Sequence, residues 1–108
     1  MSQFGDFESS VISGVKDLAE TTLKGFITQA QTDAEDFLRQ TQEKLKRWTG
    51  MLDRGDLTKV EFTALVDSQK GLATLNGLTH LGITAATLQR FRDGLIDLVI
   101  NSAFKTFV

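Results

Sequence analysis

The chain contains no proline, no cysteine and no tyrosine, and it has one tryptophan and one histidine. The lack of cysteine excludes disulfides, thiolate nucleophiles and cysteine-based metal sites. The lack of proline leaves glycine and polar turn residues as the means of ending a helix. No stretch shows the sustained apolar–polar alternation of a strand, whereas helix-forming residues recur throughout. We therefore predict an all-α chain.

Strong charge of either sign and long hydrophobic runs are also missing. The 108 residues carry a net charge of −2 with a pI near 5.3, so we expect no nucleic-acid partner, which would require a basic face. No run approaches the roughly 18 uncharged apolar residues of a membrane-spanning helix. Residues 1–6 lack the basic patch and apolar run of a signal peptide, and a cytoplasmic location is expected. The length fits one domain over residues 1–108.

The clearest local signal is a helix end followed closely by a helix start. Gly55 suits the left-handed residue that follows the last turn of a helix. Thr58 and Glu61 have the spacing of a capping box, and Leu57 and Phe62 have the spacing of a hydrophobic staple. A connection this short usually joins antiparallel neighbours. We therefore predict a turn between two antiparallel helices.

The predicted fold is a long antiparallel helical hairpin, with helix one over about 6–54, a loop at about 55–57 and helix two over about 58–106. Apolar or aromatic residues recur at intervals of eleven along helix one, at Phe4, Val15, Phe26, Phe37 and Trp48. That period of about 3.67 residues per turn is close to the natural helix, so the apolar stripe runs nearly straight.

Helix two has a weak point at Gly82, where Thr84 could cap a third helix. A continuous helix that is kinked near Gly82 is favoured over two separate helices. Residues 95–108 are apolar around most of the helix circumference, which is typical of a helix that is buried on most sides. A bare hairpin would leave this segment in water. We therefore expect hairpins to pack with copies of themselves into a coiled-coil-like helical bundle.

The predicted assembly interface combines the apolar end of helix two with two aromatic residues from the start of the chain. Its residues are Phe4, Phe7, Leu95, Ile96, Val99, Ile100, Ala103, Phe104 and Phe107. The predicted function is that of a non-enzymatic, self-assembling protein that acts as a binding, scaffolding or adaptor element. A homo-oligomer is expected, with a heterologous helical partner as the alternative.

Two further hypotheses use the same apolar stripes. In the first, a peripheral amphipathic protein coats a lipid or polymer-granule surface. The polar face of its helices is mixed and net acidic, which weakens adsorption to anionic lipid. In the second, a phenylalanine-rich bundle core contains a cavity and carries a small molecule.

The remaining candidates for chemistry are interpreted as structural or solvated groups. His80 has neither a second histidine nor a Glu-x-x-His pair beside it, so no metal site is predicted. Asp33, Glu35 and Asp36 are interpreted as a solvated acidic run. The basic cluster at 44–48 is interpreted as a solvated face near a helix C-terminus, with contact to phosphate as the alternative. No catalytic residue and no cofactor is predicted.

Overall fold

The computed structural model describes residues 3–108, and within this range the chain is helical, with no strand. The all-α prediction is confirmed. The elements are α1 (Gln3–Thr22), α2 (Ile27–Arg54), α3 (Lys59–Asp67), a 3-10 turn at Lys70–Leu72, α4 (Asn76–His80) and α5 (Ala85–Phe107). None of these helices is long and apolar enough to cross a membrane.

Four of the helices form an up-and-down bundle in which α1 and α3 each pack against both α2 and α5. The bundle measures 42 × 27 × 21 Å, and its long axis matches the length of α2, 28 residues at about 1.5 Å each. α1 runs antiparallel to α5, because Ser10 contacts Ser102 near one end and Leu18 contacts Gly94 towards the other. The phenyl rings of Phe62 and Phe104 join α3 to α5.

Glycine permits the close approach of α1 and α5. A Cβ atom at Gly94 would lie 2.5 Å from Cδ1 of Leu18, and one at Gly14 would lie 2.6 Å from Cδ1 of Leu98. Each leucine therefore occupies the space over a glycine of the other helix, which a larger residue would close.

The prediction of one continuous helix over about 6–54 is wrong, because the chain reverses between α1 and α2. Lys24, Gly25 and Phe26 all have positive φ angles, of 57°, 137° and 57°. Those of Lys24 and Phe26 lie in the left-handed region, which a right-handed helix cannot continue through. The backbone N–H groups of Leu23 and Gly25 both donate to the carbonyl of Ala19, which closes the last turn of α1. Folding back at this point lets α1 pack on α2 within one chain.

The prediction of a helix over about 58–106 is also wrong, because this segment breaks three times. The first break follows the end of α3 at Asp67, and the second, at the left-handed Leu75, separates the 3-10 turn from α4. The third break is at Gly82, whose φ of 83° is left-handed. Thr84 then caps α5, since its hydroxyl accepts a hydrogen bond from the N–H of Thr87. The disfavoured alternative of a separate third helix is therefore the correct one at Gly82.

The predicted turn between α2 and α3 is confirmed. α2 ends at Arg54, and Gly55 follows it with a left-handed φ of 80°. Thr58 accepts from the N–H of Glu61, and the Glu61 carboxylate accepts from the N–H of Thr58, which completes the capping box. α3 begins at Lys59, the residue after Thr58.

Candidate functional site

One end of the bundle is built from aromatic side chains. α1 and α3 begin here and α2 and α5 end here, so four helix termini contribute to it. The rings of Phe4 and Phe7 lie 5.4 Å apart between centroids, Phe7 and Phe107 lie 6.0 Å apart, and Phe62 and Phe104 lie 5.8 Å apart. We call this region the aromatic end; it consists of Phe4, Phe7, Trp48, Leu57, Val60, Phe62, Phe104, Phe107 and Val108.

The structure separates the predicted interface residues into two groups. Six are buried inside the single chain, namely Phe7, Leu95, Ile96, Val99, Ile100 and Ala103. Their assignment to an interface with other copies rested on a bare hairpin and is corrected here, because α1, α2 and α3 of the same chain cover α5. Phe4, Phe104 and Phe107 are partly buried and lie at the aromatic end.

The outer surface of the aromatic end retains apolar groups in contact with water. Val60 is 80% exposed and Val108 is 66% exposed. Trp48 and Leu57 are partly buried against the core. The Lys46 ammonium lies 5.5 Å from the centre of the Phe4 ring, a distance at which a cation and an aromatic face attract. This end therefore presents an apolar surface with cations at its border.

The second of these cations is Lys59, in the first turn of α3. Its ammonium lies 5.2 Å from the centre of the Phe104 ring. In the same turn, the hydrogen bond from the Thr58 N–H, followed by the hydrogen bond with the Thr58 side chain, holds the pKa of Glu61 below its usual value. The carboxylate of the capping box is therefore ionised at neutral pH, and it favours the start of α3 through the helix dipole.

The opposite end of the bundle is closed by two turns. One joins α1 to α2, and the other joins α4 to α5. They border an open groove of about 320 Å³, which is lined by Thr22, Leu23, Lys24, Gly82, Ile83, Thr84, Thr87 and Arg90. Phe26 and Leu81, which are 48% and 50% exposed, stand on the same two turns. We call the groove residues together with Phe26 and Leu81 the turn end.

Asp33 anchors α4 beside α2. Its carboxylate accepts hydrogen bonds from the N–H of Gly77 at 3.2 Å, from the N–H of Leu78 at 2.8 Å and from the Gln29 side chain at 3.0 Å. α4 has no cap of its own, because Leu75 at its N-cap position makes no side-chain hydrogen bond. A buried residue of α2 thus takes the role that an N-cap residue usually has.

The interpretation of Asp33 as a solvated residue is wrong, since it is buried. The sequence contained a signal for this. Asp33 follows Ala30 by three residues and precedes Phe37 by four, which places it on the apolar face of α2. Gly77 is part of the same arrangement, because a Cβ atom there would collide with the Gln29 side chain. Glu35 is exposed, and Asp36 pairs with Arg39 on the surface.

The other candidates for chemistry are held by local contacts. His80 is exposed, and its Nδ1 lies 2.8 Å from the carbonyl oxygen of Asn76. In the basic cluster at 44–48, Lys44 donates to the side chain of Gln69. Across residues 3–108, no group of three or more His, Cys, Asp or Glu side chains is placed to hold a metal ion.

Comparison of this chain with protein-family models, with curated protein sequences and with solved structures found no match. The geometry of the two ends is therefore the basis for any functional inference.

Proposed function

We propose that this protein is a non-enzymatic binding and scaffolding module that self-associates through its aromatic end. The observation that carries the proposal is the apolar surface left open there. Val60 and Val108 are exposed, and Phe4, Phe104 and Phe107 are only partly buried. An exposed cluster of apolar groups with a polar border usually marks an interaction surface.

The charges around the aromatic end favour a second copy as the partner. Lys46 and Lys59 lie over its rings, and the exposed Asp53 lies at the end of α2. Two copies related by a twofold axis present the same surface to each other. Charges of both signs on that surface can then pair across the interface, whereas a surface of one sign would repel its copy.

The size of the aromatic end favours a weak dimer. The bundle is 27 × 21 Å in cross-section, so end-to-end pairing covers roughly 500 Å² on each copy, at the lower limit for a specific interface. We expect an association that is broken by dilution. Such a dimer leaves the sides of the bundle free for other partners, including a heterologous helix. The groove of about 640 Å³ between α1 and α2, lined in part by Ile12, Glu35 and Arg39, is one such side.

A non-enzymatic role is consistent with how the chain uses its one buried ionisable side chain within residues 3–108. That side chain is Asp33, and its oxygens accept hydrogen bonds from two backbone N–H groups and one amide. Its carboxylate is therefore engaged in holding α4.

The alternative, in which the protein coats a lipid or polymer surface through its apolar stripe, has less support in this fold. The residues that recur at intervals of eleven along this stripe include Val15 and Phe37, both buried in the core of the bundle. Coating through that stripe would require the bundle to open. Self-association needs no such change, because the aromatic end is already at the surface.

The test is the solution mass measured by sedimentation velocity over a hundredfold range of concentration, for the wild type and Val60→Glu. We expect the wild type to pass from monomer to dimer as its concentration rises. Val60→Glu should remain monomeric, because a carboxylate in the interface would lose its water. Val60 is preferred to Phe104 for this test, because Phe104 also packs on Phe62 within the chain.

Leu81→Glu is the matched control, since it places the same charge on an exposed apolar residue at the opposite end of the bundle. It should dimerise as the wild type does. A wild type that stays monomeric at every concentration would overturn the proposal. So would equal loss of dimer in the two variants, because the interface would then not be at the aromatic end.

A further inference from the structure

The turn end differs in charge from the rest of the molecule. None of the 14 acidic residues lies in 21–32 or in 68–92, the two segments that supply both turns and line the groove. These segments contain four basic residues, Lys24, Lys70, Arg90 and Arg92. The residues of the turn end therefore include two cations and no carboxylate, and the acidic residue nearest to them along α1 is Glu20, two residues before Thr22.

Two of these cations are free to meet an anion. Lys70 pairs with Asp93 at 2.8 Å, and Arg92 donates to the carbonyl of Ala73 at 2.7 Å. Lys24 and Arg90 form no ion pair within residues 3–108, and Arg90 donates only to the hydroxyl of Thr87. Both of them line the groove.

Apolar side chains stand beside these free cations. Phe26 and Leu81 are each about half exposed, and Leu23 and Ile83 line the groove between their turns. Phe26 also has a φ of 57°, which is costly for a bulky residue. Full burial of the ring does not offset this cost, because the ring is about half exposed. Residues with strained backbone angles cluster at binding sites.

We propose that the turn end docks on an anionic lipid surface. Phe26 and Leu81 enter the apolar layer below the headgroups, while Lys24 and Arg90 contact headgroup phosphates. Apolar tips flanked by cations match the order of layers in such a surface, where apolar chains lie below negative charge.

The shape of the turn end favours lipid over an acidic protein segment. The groove of about 320 Å³ is bounded by two turns at the extremity of the bundle. A helical peptide needs a groove that runs along a helix face, and a strand needs an exposed sheet edge. The turn end instead offers two tips, which suit a laterally continuous surface.

The test is sedimentation with vesicles of phosphatidylcholine alone or of phosphatidylcholine mixed with phosphatidylglycerol. The wild type should bind the mixed vesicles and should bind neutral vesicles much more weakly. Lys24→Asn with Arg90→Gln should lower binding to mixed vesicles about tenfold or more. Phe26→Asn with Leu81→Asn should lower binding by a similar factor. Asparagine is chosen at 24 and 26 because it tolerates the left-handed region.

Two matched controls lie in the aromatic end or next to it, since Arg47 and Lys105 are the sequence neighbours of Trp48 and Phe104. Arg47→Gln with Lys105→Gln removes the same charge, and Val60→Asn removes an exposed apolar side chain; both should bind mixed vesicles within about twofold of the wild type. Circular dichroism should show the same helicity for every variant. Val60→Glu should also bind, so this inference and the proposed dimer can fail separately.

Four results would overturn the inference. In the first, the wild type fails to bind mixed vesicles, and in the second, it binds neutral vesicles equally well. The aromatic-end controls would weaken binding as much as the turn-end variants do. Finally, an acidic peptide such as oligoglutamate would bind in a Lys24- and Arg90-dependent way while mixed vesicles did not, which would assign the turn end to a protein partner.

Discussion

The aromatic end and the turn end close the same bundle by different means. At the aromatic end, phenyl rings pack on one another, and the stabilising term is the burial of large apolar side chains. At the turn end, left-handed residues reverse the chain, and a carboxylate on α2 holds the short helix α4 that precedes the second turn. The packing of the aromatic end depends on side-chain volume, whereas the structure of the turn end depends on backbone geometry and on single hydrogen bonds.

This difference implies opposite responses to substitution by a similar residue. Ring packing tolerates a change of shape if volume is conserved. A buried carboxylate that satisfies two backbone donors has no equivalent of similar size that does the same. The same contrast separates the two proposed surfaces, because the aromatic end offers apolar area bordered by charges of both signs, whereas the charged residues of the turn end are the cations Lys24 and Arg90.

The largest expected effect is a difference in the free energy of unfolding between two variants, each of which replaces a phenylalanine at one end of the bundle. Phe7 is fully buried, and Phe7→Ala should lower the free energy of unfolding by about 3–5 kcal/mol. Phe26→Asn should change it by about 1 kcal/mol or less, because the ring is half in water and asparagine tolerates its backbone angles. Urea denaturation of both variants measures the difference. Similar losses would mean that the turn end also depends on ring packing.

The next effect concerns the carboxylate beside the turn end. Asp33→Ala leaves the N–H groups of Gly77 and Leu78 without their partner, and it should lower the free energy of unfolding by about 2–4 kcal/mol. Native-state hydrogen exchange should show these two amides exchanging faster.

Asp36→Ala is its control, three residues along the same helix. Its partner Arg39 is exposed, so removing this surface ion pair should cost less than about 1 kcal/mol. Equal losses in the two variants would show that the buried cap contributes nothing beyond a surface charge.

The two ends also differ in how much of them the sequence predicts. The turn between α2 and α3 was predicted because its signals are local: a left-handed glycine, a capping box and a staple within a few residues. The reversal between α1 and α2 was not predicted. Two of its positive-φ positions, Lys24 and Phe26, hold residue types that give no sign of that conformation.

The apolar stripe with its eleven-residue period gave no sign of that reversal. Val15 on α1 and Phe37 on α2 both face the common core, so the apolar period continues across a turn that breaks the helix. The sequence correctly indicated that α5 is buried on most sides. It could not say what buries α5, because periodicity does not distinguish a second copy from α1 and α3 of the same chain.

The smallest expected effect tests the polar contact at the edge of the aromatic end. Because hydrogen bonds from Thr58 lower the pKa of Glu61 below 4.5 in the folded chain, ionisation of this carboxyl stabilises the fold above that pH. The contribution is lost as pH falls through the folded pKa. Wild type should therefore be more stable than Glu61→Gln at pH 7, and the gap should close in acid.

Thermal unfolding from pH 7 down to about pH 3 measures this gap. In a Thr58→Ala background the gap should already be smaller at pH 7, because the hydroxyl that assists in lowering the pKa is absent. A gap that is independent of pH would show that the box acts through its shape alone. The start of α3, which holds Lys59 over Phe104, would then be insensitive to acid, and so would the surface through which we propose that two copies meet.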